Sequence, residues 1–292
     1  MRTRPFSLGR IVAISANTFT ELTRLKVFYV LLLFALVLIG SSMFMARLSF
    51  QQEFQVLKDV ALGAISIFTS ILAIATSARL LPQDVEDRTV YTILAKPVPR
   101  FEYVIGKLLG VLLLLLLSTA VMAALFFAVL YLREQSAVAE TTTQMAAAPA
   151  EQLADAMRAV HHAAFAGPLL AAIGFIFLKG AVIAALTLFI STFASSTVFS
   201  IVVAVFVYVI GHLQATAREF WLQEQGAGWL TRIFLACVAL VFPDLQLFEF
   251  TDQIVAGAAI PSALFLQSCA LGCFYIVIYL LLAVAVFAGK EL

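Results

Sequence analysis

Charged residues are what this sequence has least of. Only 12% of its 292 residues are charged, whereas 63% are hydrophobic and the mean hydropathy is +1.05. Soluble globular proteins carry about 25% charged residues, so this composition predicts an integral membrane protein. The formal net charge of +1 by itself says nothing about nucleic acid, and we expect no nucleic acid partner.

Cysteine is also scarce, and the three cysteines suit neither a disulfide framework nor a metal site. Cys237, Cys269 and Cys273 all lie in apolar runs. Cys269 and Cys273 are four residues apart, on one face of one rigid helix, which is a poor arrangement for a disulfide. A metal would need further ligands nearby, and none are present in the sequence around them. We therefore expect this chain to bind no metal and no cofactor.

The sequence lacks the motifs of nucleotide-hydrolysing and catalytic sites. Gly106-Lys107 is followed by Leu108, and position 101 is Phe, so no phosphate-binding loop forms there. H-E-x-x-H and G-x-S-x-G are both absent, and the adjacent His161 and His162 point to different sides of a helix. We predict that the chain is not an enzyme, and that its energy source lies on another polypeptide.

Long apolar runs dominate what is present, and they predict an all-α polytopic membrane protein forming a single transmembrane domain over residues 1–292. About twenty residues cross the hydrocarbon core of a bilayer. Six spans are predicted at about 27–46, 60–81, 104–132, 167–190, 198–213 and 263–288. Pro168 is placed to open the fourth span. The third would be about 43 Å long, so its 103–107 end should tilt or project from the bilayer.

An amphipathic pattern precedes the first span. Apolar and small residues recur at three- and four-residue steps, namely Leu8, Ile11, Val12, Ser15, Phe19 and Leu22. Glu21 and Arg24 lie on the other face, which suits a helix in the plane of the membrane interface. The alternative is a simple solvated N-terminal helix.

The distribution of basic residues predicts that both termini are cytoplasmic. Of the 18 Lys and Arg residues, eleven fall in predicted inside segments, six in outside segments and Lys179 within a span. Cytoplasmic loops carry the excess of Lys and Arg. Trp229–Phe242 is short for a crossing and is predicted to be re-entrant or interfacial over about 229–243. Were it a true span, the chain would have seven and its C-terminus would lie outside.

The largest polar region, 133–166, is predicted to be an external loop. Residues 136–150 are mostly Ala, Thr, Ser and Gln with one Glu, a composition that favours neither packing nor a fixed turn. A short helix is expected from Glu151 onward. Lys179, at the centre of the fourth span, is the residue there that is costly to bury. It is a candidate for the transport pathway, or it pairs at a contact between helices, and the sequence leaves both open.

The densest charged segment between spans is 82–103, which joins spans two and three. Pro82 and Asp84 are good residues for a helix start, and Lys96-Pro97-Val98-Pro99 would end the helix. A short cytoplasmic helix with stiff ends could transmit motion to the spans on either side. The alternative is an ordinary charged inside loop.

This segment resembles the cytoplasmic segment of ABC-2-type transporter permeases, in particular the copper-processing and gliding-motility subgroup. The pattern of that subgroup is approximately E-x-R-T-x-x-x-L-L-A-K-P-V-S-R-x-x-x-x-x-G-K. The matching residues include Glu86, Arg88, Thr89, Ile93, Leu94, Ala95, Lys96, Pro97, Val98, Arg100, Gly106 and Lys107. Pro99 replaces the usual serine, and Ile93 replaces one leucine. Weaker similarity extends to residues 21–26, 243–245 and 290–292.

The resemblance implies a fold of six transmembrane helices with an N-terminal interfacial helix and a cytoplasmic coupling helix. It implies a bacterial inner-membrane complex, surrounded by lipid, of two permease copies or paralogues over two ABC ATPase subunits. ATP and Mg would be bound by those ATPases. It assigns ATPase coupling to Asp84, Glu86, Asp87, Arg88, Thr89, Leu94, Lys96, Pro97, Arg100, Gly106 and Lys107. Glu21 and Arg24 fall in the interfacial helix.

Three functions are consistent with the sequence. The first is a permease subunit that moves an unidentified substrate, and a lipid-like amphiphile is conceivable. The second is an ATPase-driven anchor or mechanotransmission subunit that acts on an external partner, which would need ordered mass outside the membrane. The third, an ion channel or ion-coupled carrier, rests on Lys179 alone, whereas such proteins usually carry several intramembrane polar groups.

Overall fold

The computed structural model describes residues 7–46, 53–86, 99–146, 149–165, 168–223, 242–255 and 261–289, together with Trp229 and Ile233. Within these ranges the regular structure is helical and includes no strand. The helices are α1 (Leu8–Thr23), α2 (Lys26–Ala46), α3 (Glu53–Glu86), α4 (Arg100–Gln144), α5 (Ala150–Phe165), α6 (Leu169–Phe193), α7 (Thr197–Gln223), a 3₁₀ turn (Leu245–Phe248), α8 (Thr251–Val255) and α9 (Ser262–Gly289).

Six helical stretches within the described ranges are long and apolar enough to cross a membrane. They lie in α2, α3, α4, α6, α7 and α9. The prediction of an all-α membrane protein with six membrane-length helices is confirmed. α3 and α6 are the most buried, and they pack on each other at the centre of the bundle. α2, α7 and α9 leave most of their apolar surface exposed on the outside, where lipid tails would cover it.

The third membrane-length helix is longer than predicted. α4 has 45 residues, which corresponds to about 68 Å. The expectation of a loop from residue 133 is wrong as far as Gln144, because Arg133 is buried in an ion-pair network. Arg133 donates to Glu53 of α3, with Nε at 3.1 Å, and its Nη1 lies 3.2 Å from Glu140. These carboxylates keep the polar part of α4 packed and helical.

α5 folds back beside α4 and forms a helical hairpin with it. The helix predicted from Glu151 onward is present as α5. Lys58 of α3 donates to the carbonyl oxygen of Ala163 at 2.8 Å, and His161 Nδ1 lies 2.5 Å from Glu134 Oε1. The end of the bundle that carries this hairpin is called the α5 end, and the opposite end is called the α1 end.

Pro82 does not start a helix. α3 runs without interruption from Glu53 to Glu86 with Pro82 inside it, so the predicted helix start at Pro82 and Asp84 is wrong. Proline removes one backbone hydrogen bond, but Leu80, Leu81 and Pro82 itself are buried against the bundle core. The packing of these buried side chains therefore stabilises the last turn of the helix despite the proline. Residues 87–98, where the rest of the predicted coupling helix lies, fall outside the described residues.

The remaining elements agree with the sequence in part. An N-terminal helix is present as α1, and Pro168 directly precedes the first residue of α6. α7 continues past the predicted end at Leu213 to Gln223. Apart from Trp229 and Ile233, the predicted re-entrant stretch up to residue 241 lies outside the described residues. After it, the Asp244 side chain caps the 3₁₀ turn by accepting from the Gln246 amide at 3.2 Å.

Candidate functional site

α1 lies directly against the first turns of α4 at two glycines one helical turn apart. A Cβ atom added to Gly106 would lie 2.8 Å from Ile14 Cβ. One added to Gly110 would lie 2.6 Å from Thr18 Cβ and 2.9 Å from the Ser15 carbonyl oxygen. Small residues four apart let two helix backbones approach closely. The glycine of the coupling motif, Gly106, is therefore a packing requirement for α1.

Replacing Gly110 by alanine should push α1 away from α4. Real Cβ atoms do not approach a backbone oxygen to 2.9 Å, and overpacking of this kind costs about 1–3 kcal/mol. Thermal unfolding in detergent should show a lowered Tm. The matched control is Gly40→Ala in α2, where the new Cβ meets nothing within 4 Å. Equal Tm values for the two variants would contradict the close contact.

Beside this contact, four polar side chains join α1, α3 and α4. Lys107 Nζ of α4 lies 2.6 Å from Asp84 Oδ2 of α3 and 3.7 Å from Glu21 Oε2 of α1. The Tyr103 hydroxyl of α4 donates to the same Asp84 oxygen. Lys107 is 3% exposed and Asp84 7%. We call these four residues the α1–α3–α4 junction.

The start of α4 makes two further attachments. Glu102, fully buried in the first turn, accepts from the Ser7 amide at 3.0 Å and from Arg10 Nη2 at 3.2 Å. A carboxylate there also complements the positive end of the α4 dipole. Arg100 Nη1 donates to the carbonyl oxygens of Phe287 at 3.1 Å and Ala288 at 2.6 Å, at the C-terminal end of α9. α1 and α9 are thus both fastened to the start of α4.

The predicted coupling residues therefore fall into three groups. Asp84, Gly106 and Lys107 come together inside the protein, where they contact other helices. Glu86 is exposed at the end of α3, and Arg100 is bound to the end of α9. Asp87, Arg88, Thr89, Leu94, Lys96 and Pro97 lie outside the described residues. In the N-terminal helix, Glu21 belongs to the junction and Arg24 is exposed just after α1.

Lys179 lies in a second polar site, midway along α6. It is 1% exposed, and its Nζ lies 2.7 Å from Glu249 Oε1 and 3.5 Å from His212 Nε2. His212 Nε2 is in turn 3.0 Å from the same Glu249 oxygen. We call Lys179, His212 and Glu249 the Lys179 cluster. A carboxylate and an imidazole stabilise an ammonium group that would be costly to bury alone.

Sequence reasoning missed His212 and Glu249. His212 is a polar residue inside the apolar run of α7, which is itself a signal for an interior contact. Glu249 follows the short Pro243-Asp244 segment and carries no comparable signal. Nothing in their spacing from Lys179, 33 and 70 residues, predicts the contact. Over the ranges that the structure describes, no three His, Cys, Asp or Glu residues group as a metal site.

These features define a polytopic helical membrane protein in which buried polar side chains join the two helices that flank the charged segment 82–103. The family described as ABC-2 family transporter protein matches residues 51–285. The chain therefore belongs to the ABC-2 family of transporter membrane proteins. The matched region includes segment 82–103 and the Lys179 cluster. No curated protein matches the chain. The family match does not support the copper-processing and gliding-motility subgroup in particular.

Proposed function

We propose that the chain is the permease subunit of an ATP-binding cassette transporter. It moves an unidentified substrate across the bacterial inner membrane, using a separate ATPase that binds ATP and Mg. Membership of the ABC-2 family supports a membrane subunit of such a transporter. The observation that carries the proposal further is the α1–α3–α4 junction, because it lies at both ends of the charged segment 82–103.

In this proposal the segment transmits motion because its two ends are fixed to each other. Asp84 precedes the segment's undescribed part and Lys107 follows it, and their ion pair closes at 2.6 Å. Breaking a buried pair by losing one partner costs about 3–5 kcal/mol. A push on the segment would therefore move α3 and α4 together, with α1 packed on them. Buried Asp84, Gly106 and Lys107 hold the helices, and exposed Glu86 contacts the ATPase.

The same proposal places the α1 end of the bundle and both termini in the cytoplasm. The excess of Lys and Arg in the segments at this end supports that orientation. Two permease copies, or one copy and a paralogue, would sit over two ATPase subunits, and the path would open between the permeases. No nucleic acid takes part.

Charge reversal at the start of the segment tests the proposed docking. The variant Glu86→Lys with Arg88→Glu should lower the yield of co-purified ATPase by ~10-fold or more, since like charges at an interface cost several kcal/mol. The matched control is Glu151→Lys, an exposed carboxylate on α5 at the other end of the bundle. Wild-type yield and ATPase activity in the charge-reversed variant would count against the proposal.

The hairpin of α4 and α5 favours a second candidate, a subunit that passes ATPase motion to an external partner. Residues 133–144 continue α4 as a helix held by Arg133, and α5 packs back through Lys58 and His161. The α5 end therefore has more ordered helical structure than the sequence predicts. A protein that co-purifies through the hairpin, together with no ATP-dependent movement of solute, would favour this candidate over a permease.

A further inference from the structure

A cavity of about 430 Å³ lies at the α1 end of the bundle, between the start of α2, the last turns of α3 and the start of α7. Its volume is within the range of small-ligand pockets, roughly 300–1,000 Å³. Thr76, Arg79, Gln83 and Glu86 of α3 and Thr197 of α7 form its polar lining. The cavity therefore holds polar groups near the ends of membrane-length helices, which is where lipid headgroups lie.

Arg79 gives the cavity a positive charge. It is half-buried, and its Nε and Nη2 donate to the Gln83 side-chain oxygen at 2.9 Å and 2.7 Å. That oxygen belongs to a neutral amide, and Arg79 forms no ion pair within the part of the chain that the structure describes. A guanidinium group has five N–H donors. Gln83 uses two of them and orients the group, so three remain for a ligand.

Glu86 is the carboxylate among the residues that line the cavity, and it does not neutralise Arg79. It lies seven residues further along α3, which corresponds to about 10 Å of helix. Its side chain is exposed at the end of α3, where water and salt weaken its field over such a distance. An anion beside Arg79 would therefore meet the guanidinium group at close range and the carboxylate only weakly.

The cavity lies over α3 between two helices that do not pack closely on each other. α2 and α7 both pack against α3, whereas among the described residues any contact between α2 and α7 is slight. Both helices expose apolar side chains near the cavity, namely Val27 and Val30 on α2 and Val198 and Val202 on α7. A hydrocarbon chain could cover these side chains while a polar headgroup enters the cavity.

We propose that this cavity binds the phosphate group of an amphiphile whose hydrocarbon chain lies between α2 and α7. The guanidinium group of Arg79 matches a phosphate because it donates two parallel hydrogen bonds to two oxygens. Basic pockets between transmembrane helices near the membrane surface suit phosphate headgroups for the same reason. The inference goes beyond the proposed function, because binding requires neither an ATPase nor movement of the amphiphile.

Binding of a labelled lipid tests the role of Arg79. The full-length chain in an uncharged maltoside detergent is titrated with phosphatidic acid that carries a nitrobenzoxadiazole label on its acyl chain. Arg79→Gln should raise the Kd by ~10-fold or more, because it removes charge-assisted hydrogen bonds. Arg79→Lys keeps the charge but loses the planar fork, and its Kd should fall between the two. Arg158→Gln, exposed on α5, is the matched control and should leave the Kd unchanged. An unchanged Kd in Arg79→Gln would overturn the proposal.

A cysteine in the cavity wall locates the bound lipid without changing Arg79. In the full-length chain with Cys237, Cys269 and Cys273 replaced by serine, Ala75→Cys places a thiol in the wall. Phosphatidic acid should slow its modification by an uncharged maleimide severalfold and should not affect exposed Thr143→Cys. A thiol at position 75 that is unreactive without lipid, no slowing there, or equal slowing at both positions would each contradict the proposal.

Three competitors separate a lipid headgroup from a soluble phosphate ester. Unlabelled phosphatidic acid should displace the labelled lipid. Diacylglycerol, which lacks the phosphate, and glycerol 3-phosphate, which lacks the hydrocarbon chains, should each compete ~10-fold more weakly or worse. Diacylglycerol competing as well as phosphatidic acid would show an apolar groove with no phosphate site. Glycerol 3-phosphate competing equally well would assign the cavity to soluble phosphate esters, and the amphiphile would be wrong.

Discussion

Replacing Asp84 by alanine is expected to abolish ATP-driven activity of the assembled complex and to lower the free energy of unfolding by about 3–5 kcal/mol. The change leaves Lys107, 3% exposed, without its carboxylate at 2.6 Å, and Tyr103 without its acceptor. Helices α3 and α4 would then lose the buried ion pair that joins them at the ends of the charged segment. Chemical unfolding of the purified permease and ATPase assays of the complex measure the two effects.

Two comparisons isolate the junction as the cause. Asp84→Ala combined with Lys107→Met removes both charges and should recover much of the lost stability, because no buried charge stays unpaired. Asp155→Ala breaks an ion pair with Arg158 at 3.1 Å whose side chains are 66% and 76% exposed, and should cost less than about 1 kcal/mol. An Asp84→Ala variant as stable as Asp155→Ala would contradict the junction.

Replacing Glu249 by glutamine is expected to destabilise the bundle by about 3 kcal/mol, at the low end for a broken buried pair because Glu249 is partly exposed. Lys179 would then lack a negative counter-charge, because its neighbours would be an amide oxygen at position 249 and His212 at 3.5 Å. The double variant Lys179→Met with Glu249→Gln should recover most of the Tm, since it leaves no charge in the middle of α6. Thermal unfolding in detergent checks both.

The same variants separate a structural role of Lys179 from a role in transport. If the cluster serves only to join α6, α7 and the 249 region, the double variant should recover transport and ATPase activity along with stability. If the cluster also contacts the substrate, stability should return without transport. Unchanged transport and ATPase rates in Lys179→Met alone would remove Lys179 from the mechanism. A Glu249→Gln variant with wild-type Tm would contradict the pairing itself.

The sequence predicts the helices of this protein well because the bilayer imposes the pattern. A membrane-length apolar run must form a helix to satisfy its backbone in lipid, and the described part of the chain has six such helices. Outside the apolar runs, packing against other helices decided the structure more than the helix-start and helix-end preferences of single residues did. Pro82 has the properties of a helix-start residue, but buried neighbours extend α3 through it. Arg133 closes an apolar run, but Glu53 and Glu140 hold it inside a longer helix.

Only some residues of each candidate site could be predicted from the sequence. The motif marked Gly106, Lys107 and Asp84, and the cost of burial marked Lys179. Their partners are distant in the chain: Glu21 for Lys107, Ile14 for Gly106, Glu249 for Lys179. Single-sequence patterns report helix faces and propensities, which are local, whereas these contacts depend on which helices become neighbours. The structure also changes the proposed role of Asp84 and Lys107. They hold α3 and α4 together and do not form a surface that contacts the ATPase.

The central claim, that a separate ATPase acts on this chain at segment 82–103, can be tested most directly by site-specific photo-crosslinking. A photoreactive residue replaces exposed Glu86 at the end of α3, and in a second sample it replaces exposed Glu151 of α5. Irradiation of the native complex should give an adduct between the permease and the ATPase from position 86 and none from position 151. An ATPase adduct from position 151, with none from position 86, would contradict the account.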